Sequence, residues 1–583
     1  MDDILPDEFT NDEYALEYGS AYVAKMQYLE HVMLNYETGT ECFNVLNFEG
    51  GLGKSLHILR VLDRYLSQDE SKMNFLIVKK FNKEIERSAN YLTGRGHFSV
   101  VGLTSENWTS EWAKKPASLK NVRVLFISHE RYVKLCLSDD RKHFMEGRHV
   151  LIIDEKVVFP IHTFNKAKYD KIRAYFPRPL QKEYDKVCDP LLHWLDKLED
   201  QKNQCARVKA NIHPATISNF KSIVEPYLSS LAIKERQEVD HFLQGIDIWY
   251  GTKCAFNSGN ISGSDQRYKH WGMQNNIILD ASANIDGVYK LDKNKFRIIN
   301  QGNVVDHSNC VFNIYQFNSS KSNIRKNQEH MLAEVAQKIQ LNLQAEDRIL
   351  LICHKENAEK LNRYLHEVRL DDVLVHEKEK EYWGEQIVIN WYGNLVGKND
   401  YSLFNKCWLI GTPNLPFEHY LLQYLQYSNI DWGKKGMALH AGRFTNDTFH
   451  SVQLGFVSAE IYQALKRIQR VSVPHGEFNL VLSNDEIVTK VLSSFKNSTN
   501  RKALHFDFKV KQDEERTETR SIRASELANY LKGLPMGEYS KMSIREANGI
   551  DQAHFSGYLK HPKILKLTQE GKIIISYKTI TVL

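Results

Sequence analysis

The sequence predicts an α/β protein with two parallel-sheet domains. Three observations carry that expectation. Short apolar runs alternate with helix-like segments over residues 40 to 155 and again from about 306 to 490, the pattern of crossover-connected parallel strands. A glycine-rich turn, Gly50-Gly51-Leu52-Gly53-Lys54-Ser55, separates the first apolar run from the first helical one. An apolar run at 150–153 ends on two adjacent carboxylates, Asp154 and Glu155.

The chain has 583 residues, too many for one core, which implies roughly three or four domains. Its 42% hydrophobic and 26% charged residues are ordinary for a globular protein. No apolar run approaches the ~18 residues of a membrane span. Met1 to Ser20 carries seven acidic residues and no Lys or Arg, unlike a signal peptide. The eight cysteines are scattered without a C-x-x-C pair, so neither zinc nor a disulfide framework is expected. The expected location is cytoplasmic or nucleoid-associated, with no membrane partner. A net charge of +5 neither demands nor excludes nucleic acid.

In order, the first domain's strands are Val45–Phe48, Phe75–Val78, Ser99–Leu103, Val124–Ile127 and Val150–Ile153, with a later one at Ile277–Leu279. Leu56 to Tyr65 reads as the helix after the glycine-rich turn. The second domain's strands include Ile349–Cys353, Gln386–Asn390, Lys406–Ile410 and Asn479–Leu482. The expected division is 1–305, with a helical insertion at about 160–270, then 306–497, a charged linker at 498–520 and a small unit at 521–583.

A glycine-rich turn between strand and helix lets backbone N–H groups approach phosphate oxygens. Gly50, Gly51 and Gly53 would line such a loop. Lys54 would reach the outer phosphates, and the Ser55 hydroxyl suits Mg²⁺. Phe48 stands where the longer pattern wants glycine, and a flexible turn would carry the same glycines. Asp154 at a sheet's carboxyl edge is placed to hold Mg²⁺, and Glu155 to polarise an attacking water. Two solvated acids would read alike. On a helix, Gln463, Arg467 and Arg470 share a face, and arginine forks onto phosphate. A basic solvated helix is the plainer reading.

Together these segments resemble the motors of helicase superfamily 2. Gly51–Ser55 is similar to motif I, Asp154–Glu155 to motif II, and Gln463, Arg467 and Arg470 to motif VI. Phe75–Asn82, Phe126–Arg131, Asp280–Asn284, Leu350–Lys355 and Trp391–Asn399 resemble motifs Ia, Ib, III, IV and V in order. Motif II continues with Lys156 and Val157, Asn284 replaces Thr, and Lys466 and Gln469 replace glycines. The resemblance implies two RecA-like domains with ATP between them, and catalytic roles for Lys54, Glu155, Gln463, Arg467 and Arg470. It also implies coupling through Ser282 and Asn284, and nucleic-acid contacts at Lys79, Lys80, Arg131 and Lys355.

The insertion interleaves Lys166, Lys168, Lys171 and Arg173 with Tyr169, Tyr175 and Phe176, which suits strand binding or an ordinary helical bundle. Residues 543–559 look like a helix-turn-helix, with Gly549 in the turn and Gln552, Ser556 and Lys560 outward. Ile564 to Tyr577 reads as a β-hairpin wing, making the tail winged-helix-like. Residues 501–583 hold 15 Lys or Arg against 10 Asp or Glu. The expected function is an ATP- and Mg²⁺-dependent motor on single-stranded or duplex DNA, with RNA left open, in replication of a phage or mobile element. The rival is an initiator or regulator that uses ATP as a switch without unwinding.

Overall fold

The computed structural model describes residues 11–35, 41–68, 72–107, 115–199, 205–368, 377–378, 381–383, 386–395, 400–428, 430–431, 437–440, 442–482, 484–508, 514–559, 561–576 and 578–583. The chain divides into two compact units. The larger holds both parallel sheets and the insertion. The smaller is formed mainly by residues 507–583.

The first sheet has seven parallel strands: β1 (Phe43–Asn47), β2 (Phe75–Lys79), β3 (Val100–Leu103), β4 (Val124–Ser128), β5 (Val150–Asp154), β10 (Asn275–Leu279) and β11 (Phe296–Asn300), in the spatial order β11-β1-β10-β5-β2-β4-β3. The inner strands β1, β10, β5, β2 and β4 are buried on both faces and read as apolar runs, while the edge strands β3 and β11 are partly exposed. Helix α1 (Asn11–Leu34) packs on this lobe through Tyr22, Met26, Leu29 and Met33. Helix α2 (Lys54–Leu66) follows the glycine-rich turn and buries Ile58, Leu59, Val61 and Leu62.

Between β5 and β10 lies the insertion. It contains helices Lys166–Tyr175, Arg178–Lys197, Pro214–Val224 and Ile233–Gly251. It also contains an antiparallel sheet of β6 (His162–Phe164), β7 (Ala206–Val208), β8 (Cys254–Asn257) and β9 (Asn260–Gly263), ordered β6-β9-β8-β7. The expected all-helical insertion is therefore mixed. These strands have only three or four residues each, too few for alternation to show in the sequence.

The second sheet is ordered β14-β15-β16-β13-β17-β20-β12-β21. Its strands are β12 (Val311–Tyr315), β13 (Ile349–Cys353), β14 (Glu377–Lys378), β15 (Glu381–Trp383), β16 (Ile387–Trp391), β17 (Lys406–Ile410), β20 (Glu477–Val481) and β21 (Arg501–Leu504). A separate ribbon joins β18 (Leu439–His440) to β19 (Arg443–Phe444). All second-sheet pairs are parallel except those of β14 and β15. Helices α3 (Phe417–Ser428) and α4 (Asp447–Leu465) carry this lobe's contacts with the first. The stretch expected as a linker opens with β21, which pairs in register with β12. Helix Glu514–Gly533 begins before that stretch ends.

In the smaller unit, helices Lys541–Ala547 and Gln552–Leu559 flank a turn in which Gly549 adopts φ 57°. That left-handed value favours glycine. The expected wing is corrected: Pro562–Gln569 is a helix with Pro562 in its first turn, where a missing N–H costs nothing. The antiparallel strands are β22 (Gly537–Ser540), β23 (Ile573–Ile575) and β24 (Thr579–Val582). Ile544, Ile550, Phe555, Ile564 and Ile580 share its core.

Candidate nucleotide site between the lobes

The glycine-rich turn leaves β1 and enters α2 with Gly51 at φ 84° and Gly53 at φ 65°. Both are left-handed conformations that L side chains rarely take, so these glycines are required by backbone shape. Lys54 opens α2. Its Nζ donates to the carbonyls of Phe48 at 2.8 Å and Glu49 at 2.9 Å. Burial lowers the Lys54 pKa, opposed by the nearby Asp154 and Glu155 carboxylates.

Ser55 Oγ donates to Asp154 Oδ2 at 2.8 Å. The sheet order makes this possible, because β10 alone separates β1 from β5. A hydroxyl and a carboxylate meeting at a phosphate-binding turn are a donor set that fits Mg²⁺. Among the described residues no three His, Cys, Asp or Glu side chains converge as in an all-protein metal cage. A cation here would therefore depend on water and phosphate for its other ligands, as Mg²⁺ commonly does.

Glu155 has φ 71°, an uncommon value for a non-glycine residue. Its N–H donates to Leu279 O at 2.9 Å, so the unusual backbone is tied to the neighbouring strand. Burial raises the Glu155 pKa, opposed by Lys80, raised further by Asp154 and opposed again by Arg467. Burial would also raise Asp154, but Lys79, Ser55 and Lys54 outweigh it and hold that carboxyl below its ordinary value.

Lys79 and Lys80 differ from expectation. Lys79 is 4% exposed, and its Nζ donates to Asp154 Oδ2 at 3.0 Å. Lys80 Nζ lies 3.6 Å from Glu155 Oε2. Lys79 closes β2 and Lys80 follows it; β2 pairs with β5, so both ammonium groups face the motif II carboxylates, Lys79 buried and Lys80 one-third exposed. His129 follows β4 and approaches Asp154 O at 2.8 Å through Nε2. Burial pulls its pKa down to about 4.

The second lobe reaches this site just past the end of α4: the helix stops at Leu465, so Gln463 is helical but Arg467 and Arg470 stand in the turn after it, with Gln469 at φ 47°, and not on the shared helix face expected. Arg470 lies against the glycine-rich turn: a Cβ placed on Gly51 would sit 3.0 Å from Arg470 Cδ. Arg467 is 8% exposed and interacts electrostatically with Glu155. Gln463 Nε2 donates to Ser282 Oγ at 3.0 Å, and Ser282 Oγ donates to Asp280 Oδ1 at 2.7 Å. This chain of bonds joins the end of β10 to α4. Asn284 accepts from Lys290 Nζ through its carbonyl at 3.4 Å. Lys156 pairs with the buried Asp286 and lies over the Tyr427 and Phe456 rings of the second lobe.

Helix α1 adds contacts that sequence reading missed. The Tyr14 ring lies over Gly53, 3.0 Å from where a Cβ would be. Tyr18 OH donates to Arg470 O at 3.2 Å, and Glu17 Oε1 accepts from Ser472 N–H at 2.8 Å. Gly50 is half-buried in the same turn. No sequence signal marks Tyr18 or Glu17, because their partners lie more than 450 residues away.

The remaining candidates lie elsewhere. Arg131 is half-buried at the start of the helix after β4. Lys355 is exposed, with its Nζ 5.5 Å from the Trp391 ring centre. Ser556 is exposed in the smaller unit. The side chain of Gln552, all of Lys560 and residues 396–399 of the motif V segment lie outside the described residues.

Two RecA-like lobes face each other over a glycine-rich turn. The comparison with solved structures agrees. An apo XPD structure superposes with a TM-score of 0.54 at 14% identity, covering 83% of this chain and 100% of that one. The structure of S. tokodaii Xpd4 gives a TM-score of 0.50 at 12% identity, covering 83% and 99%. No family model matches the chain, and no curated protein matches it. No helix among the described residues is long and apolar enough to cross a membrane.

Proposed function

We propose that this chain is an ATP-dependent nucleic-acid motor, a DNA helicase or translocase. The observation that carries the reading is the meeting of Arg467 and Arg470 with Glu155 and Gly51 across the lobe interface. One lobe offers a lysine and carboxylates, and the other offers guanidinium groups, as phosphoryl transfer requires. Lys54 turns from the Phe48 and Glu49 carbonyls to the outer phosphates. Ser55 and Asp154 would hold Mg²⁺, which would supply charge neutralisation when bound. Glu155 orients the attacking water and takes its proton. Arg467 and Arg470 face the charge that develops on the transferred phosphoryl group.

Because catalytic groups come from both lobes, turnover is tied to the distance between them. The Gln463–Ser282–Asp280 bonds supply one link for that coupling. The smaller unit, with exposed Ser556, acts as a duplex-binding winged-helix-like module, and replication of a phage or mobile element is the proposed setting. The test is ATP hydrolysis with single-stranded DNA, duplex DNA or RNA across a salt series, with displacement of a tailed duplex. Affinity for single-stranded DNA should fall with salt at a log–log slope of about −0.7 per phosphate contact. ATP turnover that leaves every duplex intact, with no movement on DNA, would favour the switch reading instead.

A further inference from the structure

Lys466 stands where the helicase resemblance expects glycine, and the structure shows what it reaches. Its Nζ lies 3.5 Å from Glu49 Oε1, with the two side chains 11% and 2% exposed. Glu49 belongs to the turn that precedes Lys54. Its Oε2 accepts from the N–H groups of Val304 at 2.5 Å and Val305 at 3.3 Å. Those residues belong to the segment joining β11 to β12, where the chain passes from one lobe to the other. One carboxylate therefore touches the inter-lobe connection and the residue that caps α4 just before the two arginines.

The connections continue on both sides. Arg470 Nε donates to Lys466 O at 3.3 Å, so the lysine's backbone helps hold the arginine. Lys466 Nζ also approaches His307 Nε2 at 3.3 Å. Burial and the Lys466 charge push His307 down to about 3, so that neutral ring accepts from the ammonium. From the first lobe, Lys25 lies over the Phe48 ring and donates to Gly302 O. A buried ion pair is a weak stabiliser, since desolvating each ion costs several kcal/mol and the attraction roughly returns it. What such a pair supplies here is geometry.

We propose that Glu49 and Lys466 are positioning residues: a buried strap that sets where Arg467 and Arg470 stand over the glycine-rich turn and ties that placement to the inter-lobe connection. The inference rests on the ATPase reading above. Neither group touches the phosphates in this scheme. Lys54 binds them, and the strap acts through the arginines.

Two substitutions test it. Glu49→Gln keeps an acceptor for the Val304 and Val305 N–H groups and removes the charge. Lys466→Met keeps the side-chain length and removes the charge. Each should lower kcat for ATP by ~10- to ~100-fold, the cost of misplacing a catalytic group by about 1 Å. KM and the Kd of a fluorescent ADP analogue should stay within about twofold, as befits groups that act on the transition state alone. The double variant should be no worse than the more affected single one. Amide exchange across residues 466–472 should rise in both variants and stay unchanged in β2.

Unchanged exchange and turnover, or losses that multiply in the double variant, would overturn the strap. So would ADP affinity that falls in step with kcat. If the wild-type chain hydrolyses no ATP, the motor reading fails by itself, and the exchange measurement still decides the strap. Should Glu49→Gln fail to fold, Lys466→Met carries the same comparison.

Discussion

Glu155 concentrates the residue-scale chemistry. A carboxylate that must accept a proton needs a pKa high enough to hold it and low enough to be ionised at working pH. Burial raises Glu155, and Lys80 holds that rise in check. Glu155→Gln should keep ADP-analogue binding and lose turnover; unchanged hydrolysis would remove the base assignment. Lys80→Met removes the nearer positive charge and leaves the carboxylate. Because Lys80 lowers the Glu155 pKa, its loss must raise that pKa further. The acid limb of kcat against pH should then move to higher pH, with turnover at alkaline pH little changed. A limb that stays in place would show that Lys80 does not act on the base. The roles expected for Lys54, Ser55, Asp154, Glu155, Gln463, Arg467 and Arg470 came from local patterns, and the structure gathers those residues at one cleft. The ion pairs of Lys79 with Asp154 and of Lys80 with Glu155 could not be read beforehand, because they depend on β2 lying beside β5, and strand order is not written in any local pattern.

At the scale of elements, legibility followed length and burial. The central parallel strands were readable because both faces are buried, leaving apolar runs of four or five residues, whereas β11, β12 and β21, which are partly exposed, were not picked out. The insertion's three- and four-residue antiparallel strands carried no such signal. The run Ile564–Leu567 is apolar apart from Lys566 and was read as strand, yet it is a helix that opens at Pro562 and packs Ile564 and Leu567 into the core. The closeness of the two lobes was also invisible, since it depends on a residue with no side chain. Gly455 in α4 packs against the turn at Gly287–Lys290: a Cβ there would sit 2.5 Å from Gly287 N and 3.2 Å from Ile285 O. Backbone atoms cannot step aside as a flexible side chain does. Gly455→Ala should therefore part the lobes or strain them, at about 1–3 kcal/mol for overpacking. Calorimetry should show a lower unfolding temperature. ATP turnover should fall at least tenfold at full ADP-analogue affinity, by the same misplacement argument. Wild-type turnover in that variant would mean that hydrolysis does not need this contact.

Across the whole molecule, the insertion is bonded to the second lobe as well as to the first. Helix α3 packs on β8 and β9, Gln426 Nε2 donates to Ser264 Oγ at 2.8 Å, and Arg207 forks onto Asp431. Glu418 sits in this contact, fully buried, with the Ser262 hydroxyl beside its carboxyl group. Burial pushes its pKa from 4.5 to about 7. The folded state therefore binds a proton that the unfolded chain has already released over that interval. Stability is fully present below about 4.5, declines as pH rises, and levels off above about 7. The total is at most ~3 kcal/mol, at 1.36 kcal/mol per unit. Glu418→Gln is uncharged at every pH and so removes this slope. Relative to wild type, the variant should gain several degrees in unfolding temperature between pH 5 and pH 8. A wild-type-minus-variant difference that is constant with pH would show that Glu418 is ionised in the folded protein throughout. The insertion would then be held against α3 despite a buried charge.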